Sequence, residues 1–298
     1  MPERPVSNRY LGATAGEAAR IMTEALARGH IDTPSIDARL LVTAALQVSK
    51  QDLILNPTRL VAPDEAEKLV GFEVRRLAHE PVSRILGVRE FYGRTFEISP
   101  ATLDPRPDSE VLIDAALEIA RARGWRNTPI RILDIGTGTG CLLLTLLAEL
   151  PLATGIGTDI SAAALDVARG NAARLGLSGR VDWHQTNLAD GLSGHFDLIV
   201  SNPPYIPTAT LAELGPDVRL YDPLAALDGG PDGLAFYREI ASGMARRTSF
   251  SALLFEVGAG QAPDVAAILG KCAPGLNGEV KSWQDLGGHT RCVALATH

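Results

Sequence analysis

Two short segments carry residue types that could do chemistry on a ligand. The first, "DIGTGTGC", runs from Asp134 to Cys141 and places Gly136, Gly138 and Gly140 behind an apolar run, where a strand would turn into a helix. Glycine lets backbone approach a ligand closely, and a helix N-terminus offers free N–H groups and a positive dipole end to a carboxylate or phosphate. A nicotinamide-type G-x-G-x-x-G would need glycine at 141, where this chain has Cys141, and the G-x-x-x-x-G-K-[ST] phosphate loop is absent. Downstream, "GIGTDIS" puts Asp159 at the end of the next apolar run, about the ~20-residue interval at which an acidic side chain meets ribose hydroxyls. Glycine turn plus acidic strand end reads as a nucleoside site. The plainer alternative is a tight turn with Asp159 or Ser161 capping the next helix.

The second segment is "FDLIVSNPPYIP", in which an apolar run stops against Asn202, Pro203, Pro204 and Tyr205. Alone, these four residues would be a surface Pro-Pro turn. In a doubly wound order, however, the strand at 196–201 lies beside the glycine-loop strand. The break then emerges at the same sheet edge as the nucleoside.

The elements that must hold these segments follow from periodicity. From Pro129 onward, strands at 130–135, 155–159, 180–184, 196–201, 251–257, 279–283 and 291–296 alternate with helices near 140–149, 162–176, 233–246 and 261–272. Apolar strands between amphipathic helices imply an α/β fold with a doubly wound, seven-stranded parallel sheet, its ligand at the carboxyl ends of the strands. Residues 14–80 read as helices: Thr14 and Glu17 have capping-box spacing, Pro34 suits a first turn, and Val70, Val74 and Leu77 recur at helical intervals before Pro81 ends the region. "GVREFYGRTFEIS" reads as a β-hairpin turning at Gly93 and Arg94. The expected organisation is a small helical domain at 1–86, a hairpin and linker at 87–106, and the α/β domain at 107–298.

Composition narrows the function classes. The chain has 298 residues, enough for two domains; 46% are hydrophobic and 21% charged, ordinary for a globular protein. No apolar segment approaches the ~18 residues needed to cross a bilayer, and the N-terminus has no leader-like apolar core. A soluble, cytoplasmic protein without membrane contact is expected, as a monomer. Cys141, Cys272 and Cys292 are widely spaced and without a C-x-x-C pair, which suggests neither a disulfide framework nor a metal site. The net charge of -7 falls entirely after residue 100. A partner gripped through many phosphates would call for a basic field, so extended nucleic acid is disfavoured.

"DIGTGTG", "TDIS" and "SNPPYI" together resemble the class I S-adenosylmethionine-dependent methyltransferases, and the Asn-Pro-Pro-Tyr form resembles those acting on planar amide or amino nitrogens. The likeness narrows at "PVSRILGVREFYGRTFEISPATLDPRPDSE", "DVRLYDPLAALDGGPDGLAFYREI", "LLFEVGAGQ" and "WQDLGGHTRCVAL". Along nearly the whole chain it is similar to the release factor glutamine methyltransferases, the PrmC/HemK family. The resemblance implies a Rossmann-like methyltransferase sheet. It also implies S-adenosyl-L-methionine as cofactor, S-adenosyl-L-homocysteine as product, and methylation of the glutamine N5 in the Gly-Gly-Gln motif of peptide chain release factors. Methylation of a ribosomal protein glutamine, amino methylation of a nucleic acid base, and a non-catalytic cofactor-binding scaffold are the competing readings. The helical domain would recognise the protein substrate.

The same resemblance distributes roles. Gly136, Thr137, Gly138, Thr139 and Gly140 would hold the methionine part of the cofactor and Asp159 its ribose, with Asn202 against the reactive end. Asn187 and Leu188 fall where the family meets the adenine, but stand where an acid and an aromatic residue are expected; Leu188 offers no stacking face, and Asp190 is a candidate substitute. On the substrate side, an amide nitrogen is a poor nucleophile because its lone pair is delocalised into the carbonyl. The Asn202 side-chain oxygen and the Pro203 carbonyl are expected to accept its two N–H hydrogens, fixing the amide plane and stabilising the positive charge that grows on nitrogen. Pro204 holds that carbonyl in an extended geometry, and Tyr205 would pack against the amide or adjacent backbone. Arg106 is read either as closing the site or as a salt bridge across the domain junction. Glu256 would serve the site or face the helix starting near Gln261.

Overall fold

Residues 8–272 and 278–297 are described in a computed structural model of the chain. They fall into two units, one within residues 1–87 with 216–221 and the other within residues 88–215 with 222–298. No helix among the described residues is long and apolar enough to cross a membrane.

The first unit is built from α1 (Ala15–Arg28), α2 (Pro34–Leu46), α3 (Lys50–Leu55), α4 (Pro63–Leu77) and α5 (Val82–Leu86). The Thr14 capping box forms as its spacing predicts: the Thr14 hydroxyl accepts the Glu17 N–H and the Glu17 carboxylate accepts the Thr14 N–H at 2.8 Å. Tyr10, Met22, Leu26, Leu41 and Leu69 are fully buried in its core. Arg76 on α4 donates to Asp37 on α2 at 2.7 Å. Pro81 does not end the helical region. It stands at the N-cap of α5, a position that needs no backbone donor, and the true stop is Gly87 with a left-handed φ of 74°.

The second unit opens with the hairpin β1 (Val88–Phe91) and β2 (Arg94–Glu97). Phe91 pairs with Arg94, so the two-residue turn is Tyr92-Gly93, one residue earlier than expected. Both turn residues have positive φ, 49° and 71°, as a primed hairpin turn requires. There follow α6 (Glu110–Ala122), β3 (Arg131–Ile135), α7 (Cys141–Glu149), β4 (Thr154–Asp159), α8 (Ala162–Arg174), β5 (Val181–Gln185) and β6 (Gly194–Ser201). The short α9 (Pro216–Arg219) belongs to the helical unit, where the Tyr221 hydroxyl donates to the Ala78 carbonyl at 2.8 Å. The sheet is completed by α10 (Ala235–Arg247), β7 (Thr248–Glu256), α11 (Ala262–Cys272), β8 (Gly278–Gln284) and β9 (Thr290–Thr297).

Seven strands lie in the order β5-β4-β3-β6-β7-β9-β8. The expected all-parallel sheet is corrected at one edge: β9 runs antiparallel to both β7 and β8. Side chains alternate across the sheet with period two. Ile132, Leu198, Val200, Leu254 and Ala294 face α6 and α7, while Leu133, Ile199, Phe255 and Val293 face α10 and α11. A buried aliphatic or aromatic side chain contributes about 1.5–3 kcal/mol, so two apolar layers fix the strand register strongly. In that register Ile135 pairs with Ser201, and Ser201 with Phe255. The carboxyl ends of β3, β6 and β7 therefore stop at one level.

Candidate active site

A cavity of about 580 Å3 opens at this edge, entirely within the second unit. Its floor is the turn from β3 to α7. Gly136 and Gly138 have φ of 72° and 55° with open space where a Cβ would stand, so backbone conformation rather than crowding demands glycine there. Gly140 differs: it does not line the cavity, and a Cβ would press on Leu144 and Trp183 at 3.1 Å. Its role is to seat α7 against the sheet.

Asp159, at the end of β4, lines the cavity and braces the turn. Its Oδ2 accepts the Gly138 N–H at 3.0 Å and its Oδ1 accepts the Ser161 N–H at 2.9 Å. The helix cap itself is Ser161, whose hydroxyl accepts the Ala164 N–H. Behind the turn, the Thr137 hydroxyl donates to Asp134 Oδ2 at 2.6 Å. Burial pushes the Asp134 carboxyl up to about 7, against the opposing pull of Thr137 and the Leu143 N–H.

On the neighbouring strand, Asn202, Pro203 and Pro204 line the same cavity as Gly136, Thr137, Gly138 and Thr139. The Asn202 Nδ2 donates to Ser109 Oγ at 3.4 Å, a long bond. Tyr205 does not line the cavity. Its ring is half-buried against the α10 and α11 layer, and burial raises its hydroxyl to about 12. The Tyr205 carbonyl accepts from Gln261 Nε2 at 2.9 Å, while Gln261 Oε1 accepts the Gly258 N–H at 3.1 Å. Further on, the Ile206 N–H donates to Leu227 and the Ile206 carbonyl accepts from Gly229. The chain after Pro204 is thus fastened from two sides.

Asn187 and Leu188 line the cavity as well, Leu188 at a left-handed φ of 50°. Asp190 does not. Leu188 is not accompanied by an aromatic residue in sequence, but a residue the sequence reading did not find, Phe236 on α10, also lines the cavity, and both pack against one apolar cluster. Arg106 lines the cavity and also pairs with Asp222 at 2.7 Å, inside the second unit rather than across a junction. Glu256 is turned toward Ser109, just before α6, and not toward α11. Cys141 lines the cavity with its thiol raised to about 12 by burial. Cys141 and Cys292 are free, the Cys272 side chain lies outside the described residues, and no metal-binding cluster occurs among those described.

A glycine loop on β3, a carboxylate ending β4 and an Asn-Pro-Pro-Tyr break after β6, carried by this strand order, define a methyltransferase domain. Residues 115–213 match the methyltransferase small domain and residues 17–87 the PrmC N-terminal domain. The chain is 43% identical over 290 residues to the release factor glutamine methyltransferase of Bradyrhizobium diazoefficiens, covering 97% of each chain. It is 46% identical to that of Agrobacterium fabrum, covering 88% of this chain and 90% of the relative. The chain belongs to the release factor glutamine methyltransferase family. In fold it is also similar to the hMettl16 catalytic domain solved with an RNA hairpin, at a TM-score of 0.55 and 16% identity over 82% of this chain and 85% of that one.

Proposed function

We propose that the chain transfers a methyl group from S-adenosyl-L-methionine to the side-chain N5 of the glutamine in the Gly-Gly-Gln motif of peptide chain release factors. The observation that carries this reading is that Asn202 and Pro203 line one cavity with the glycine loop and Asp159. The residues suit the cofactor: open backbone at Gly136 and Gly138, a carboxylate at Asp159 with acceptor capacity beyond its two N–H bonds, and an apolar side wall of Ile160, Leu188 and Phe236. When bound, the cofactor supplies a methyl group made electrophilic by its sulfonium.

Everything else is the work of the chain. Asn202 Oδ1 and the Pro203 carbonyl accept the two N–H groups of the incoming glutamine and hold its plane. Positive charge then grows on nitrogen facing two fixed acceptors that need no reorganisation. Pro204 keeps the Pro203 carbonyl extended, and the Gln261 bond to the Tyr205 carbonyl keeps the whole segment in place. After transfer the nitrogen returns its extra proton to water, so no dedicated base is needed. The helical unit at the N-terminus would select the release factor.

Labelled cofactor incubated separately with a release factor, ribosomes and DNA tests this. Label on the release factor, with one methyl gained on the glutamine of its Gly-Gly-Gln loop by mass spectrometry, is the expected result. Label found only in ribosomal protein or only in DNA overturns it.

A further inference from the structure

Asn202 and Glu256 leave adjacent parallel strands at the same level, because Ser201 pairs with Phe255 one residue earlier. Both continue the even-numbered positions whose side chains, as at Val200 and Leu254, face α6 and α7. Glu256 is only 3% exposed, and its Oε2 is buried without a hydrogen-bond partner among the described residues. The Ser109 hydroxyl and the Asn202 amide both act on its carboxyl. Among the described residues, Asn202 Nδ2 has only the long 3.4 Å bond to Ser109. A buried acceptor with spare capacity thus stands beside an amide whose donors are underused. Buried polar groups rarely remain so without a functional reason.

We propose that Glu256 is a positioning residue for methyl transfer: its carboxylate, together with Ser109 Oγ, takes the two Asn202 Nδ2 hydrogens, so that Asn202 presents its oxygen and not its amino group to the substrate. This rests on the reading of Asn202 as an acceptor for the glutamine amide. A side-chain amide turned by half a rotation would set N–H groups against the N–H groups of the glutamine and repel it. An ionised carboxylate only accepts and therefore selects the productive orientation. A protonated one also donates, and tolerates the wrong orientation.

The geometry makes the orientation pH-dependent. Burial raises Glu256 to about 7; Ser109, Arg291 and Asn202 oppose the rise and Asp108 adds to it. The other titratable groups that feel its charge, Tyr205, Tyr237, Cys141 and Cys292, are all raised by burial and carry no charge near neutrality. The productive orientation is therefore gained as pH rises through about 7.

Single-turnover methylation of a release factor at saturating cofactor, followed from about pH 5.5 to about pH 8.5, tests this, since an essential carboxylate makes the rate fall about tenfold per pH unit below its pKa. The wild type should show an inflection near neutrality. Glu256→Gln, which keeps the shape but presents a donor, should lose at least ~10-fold at the upper end and become flat, with cofactor affinity by calorimetry within ~3-fold of wild type. A wild-type profile without an inflection overturns the proposal, whatever the variant's folding. So does a Glu256→Gln enzyme that keeps both the rate and the inflection. Asn202→Ala separates the two levels: if it turns over normally, the acceptor reading itself fails. If it is inactive while Glu256→Gln is normal, only the role of Glu256 fails.

Discussion

The Asp159 carboxylate joins the ends of two strands, accepting the Gly138 N–H at 3.0 Å while it lines the cavity. One side chain therefore shapes the glycine turn and faces the cavity. Asp159→Ala should weaken cofactor binding by ~10-fold or more and cost about 1 kcal/mol of stability, because the half-buried Gly138 and Ser161 N–H groups lose their shared acceptor. Asp159→Asn keeps one acceptor and should fall between. Calorimetric titration with S-adenosyl-L-homocysteine and urea unfolding would read the two effects separately.

Phe236 brings an aromatic ring to the cavity that Leu188 also lines. Base–aromatic stacking contributes about 1–3 kcal/mol per base, so Phe236→Ala should lower affinity for the adenosyl cofactor by ~10-fold while Phe236→Tyr retains it. Equilibrium dialysis with labelled cofactor would check this. An unchanged affinity in the alanine variant would place the adenine elsewhere.

Phe236 also shows what a linear reading misses. The glycine turn, Asp159 and Asn202 were legible because each follows an apolar strand directly, and parallel strands bring their ends together. Phe236 sits on a helix far along the chain from Leu188, and only the fold brings both to one cavity. Gln261 was hidden for the same reason, its partners being backbone groups at Tyr205 and Gly258. The antiparallel β9, by contrast, left a readable signal. Only residues 285–289 separate β8 from β9, whereas a parallel crossover needs about a dozen. Pro81 was misread because proline breaks a helix from within but starts one well.

Gln261 fastens the Asn-Pro-Pro-Tyr segment through the Tyr205 carbonyl. Gln261→Ala should lower kcat by ~10-fold or more with little change in cofactor affinity, because the cavity wall at Gly136 to Thr139 is untouched. Gln261→Glu should do nearly as much harm, since a carboxylate can accept from Gly258 but cannot donate to Tyr205. Steady-state kinetics with a release factor substrate, alongside cofactor titration, would show the split.

Glu256 should cost stability where it serves activity. Its pKa is raised in the folded state from 4.5 to about 7 by burial, so between those values the folded protein holds more protons than the unfolded one. Stability then falls with rising pH across that window, by at most about 1.4 kcal/mol per unit, and the penalty stays constant above it. Asp134, raised from 3.8 to about 7 by burial, acts in the same direction. Carboxylates held low by partners, such as Glu65 beside Arg59 and Asp285 beside Arg291, act oppositely and lose stability only as pH falls through their depressed values. The net slope of the wild type therefore mixes both signs, and a variant isolates one. Glu256→Gln cannot ionise, so its melting temperature relative to wild type should rise steadily from about pH 5 to about pH 7 and then level off. Calorimetric melts of the two proteins across this range measure that difference directly. A variant whose relative stability ignored pH would show that Glu256 does not bury its charge.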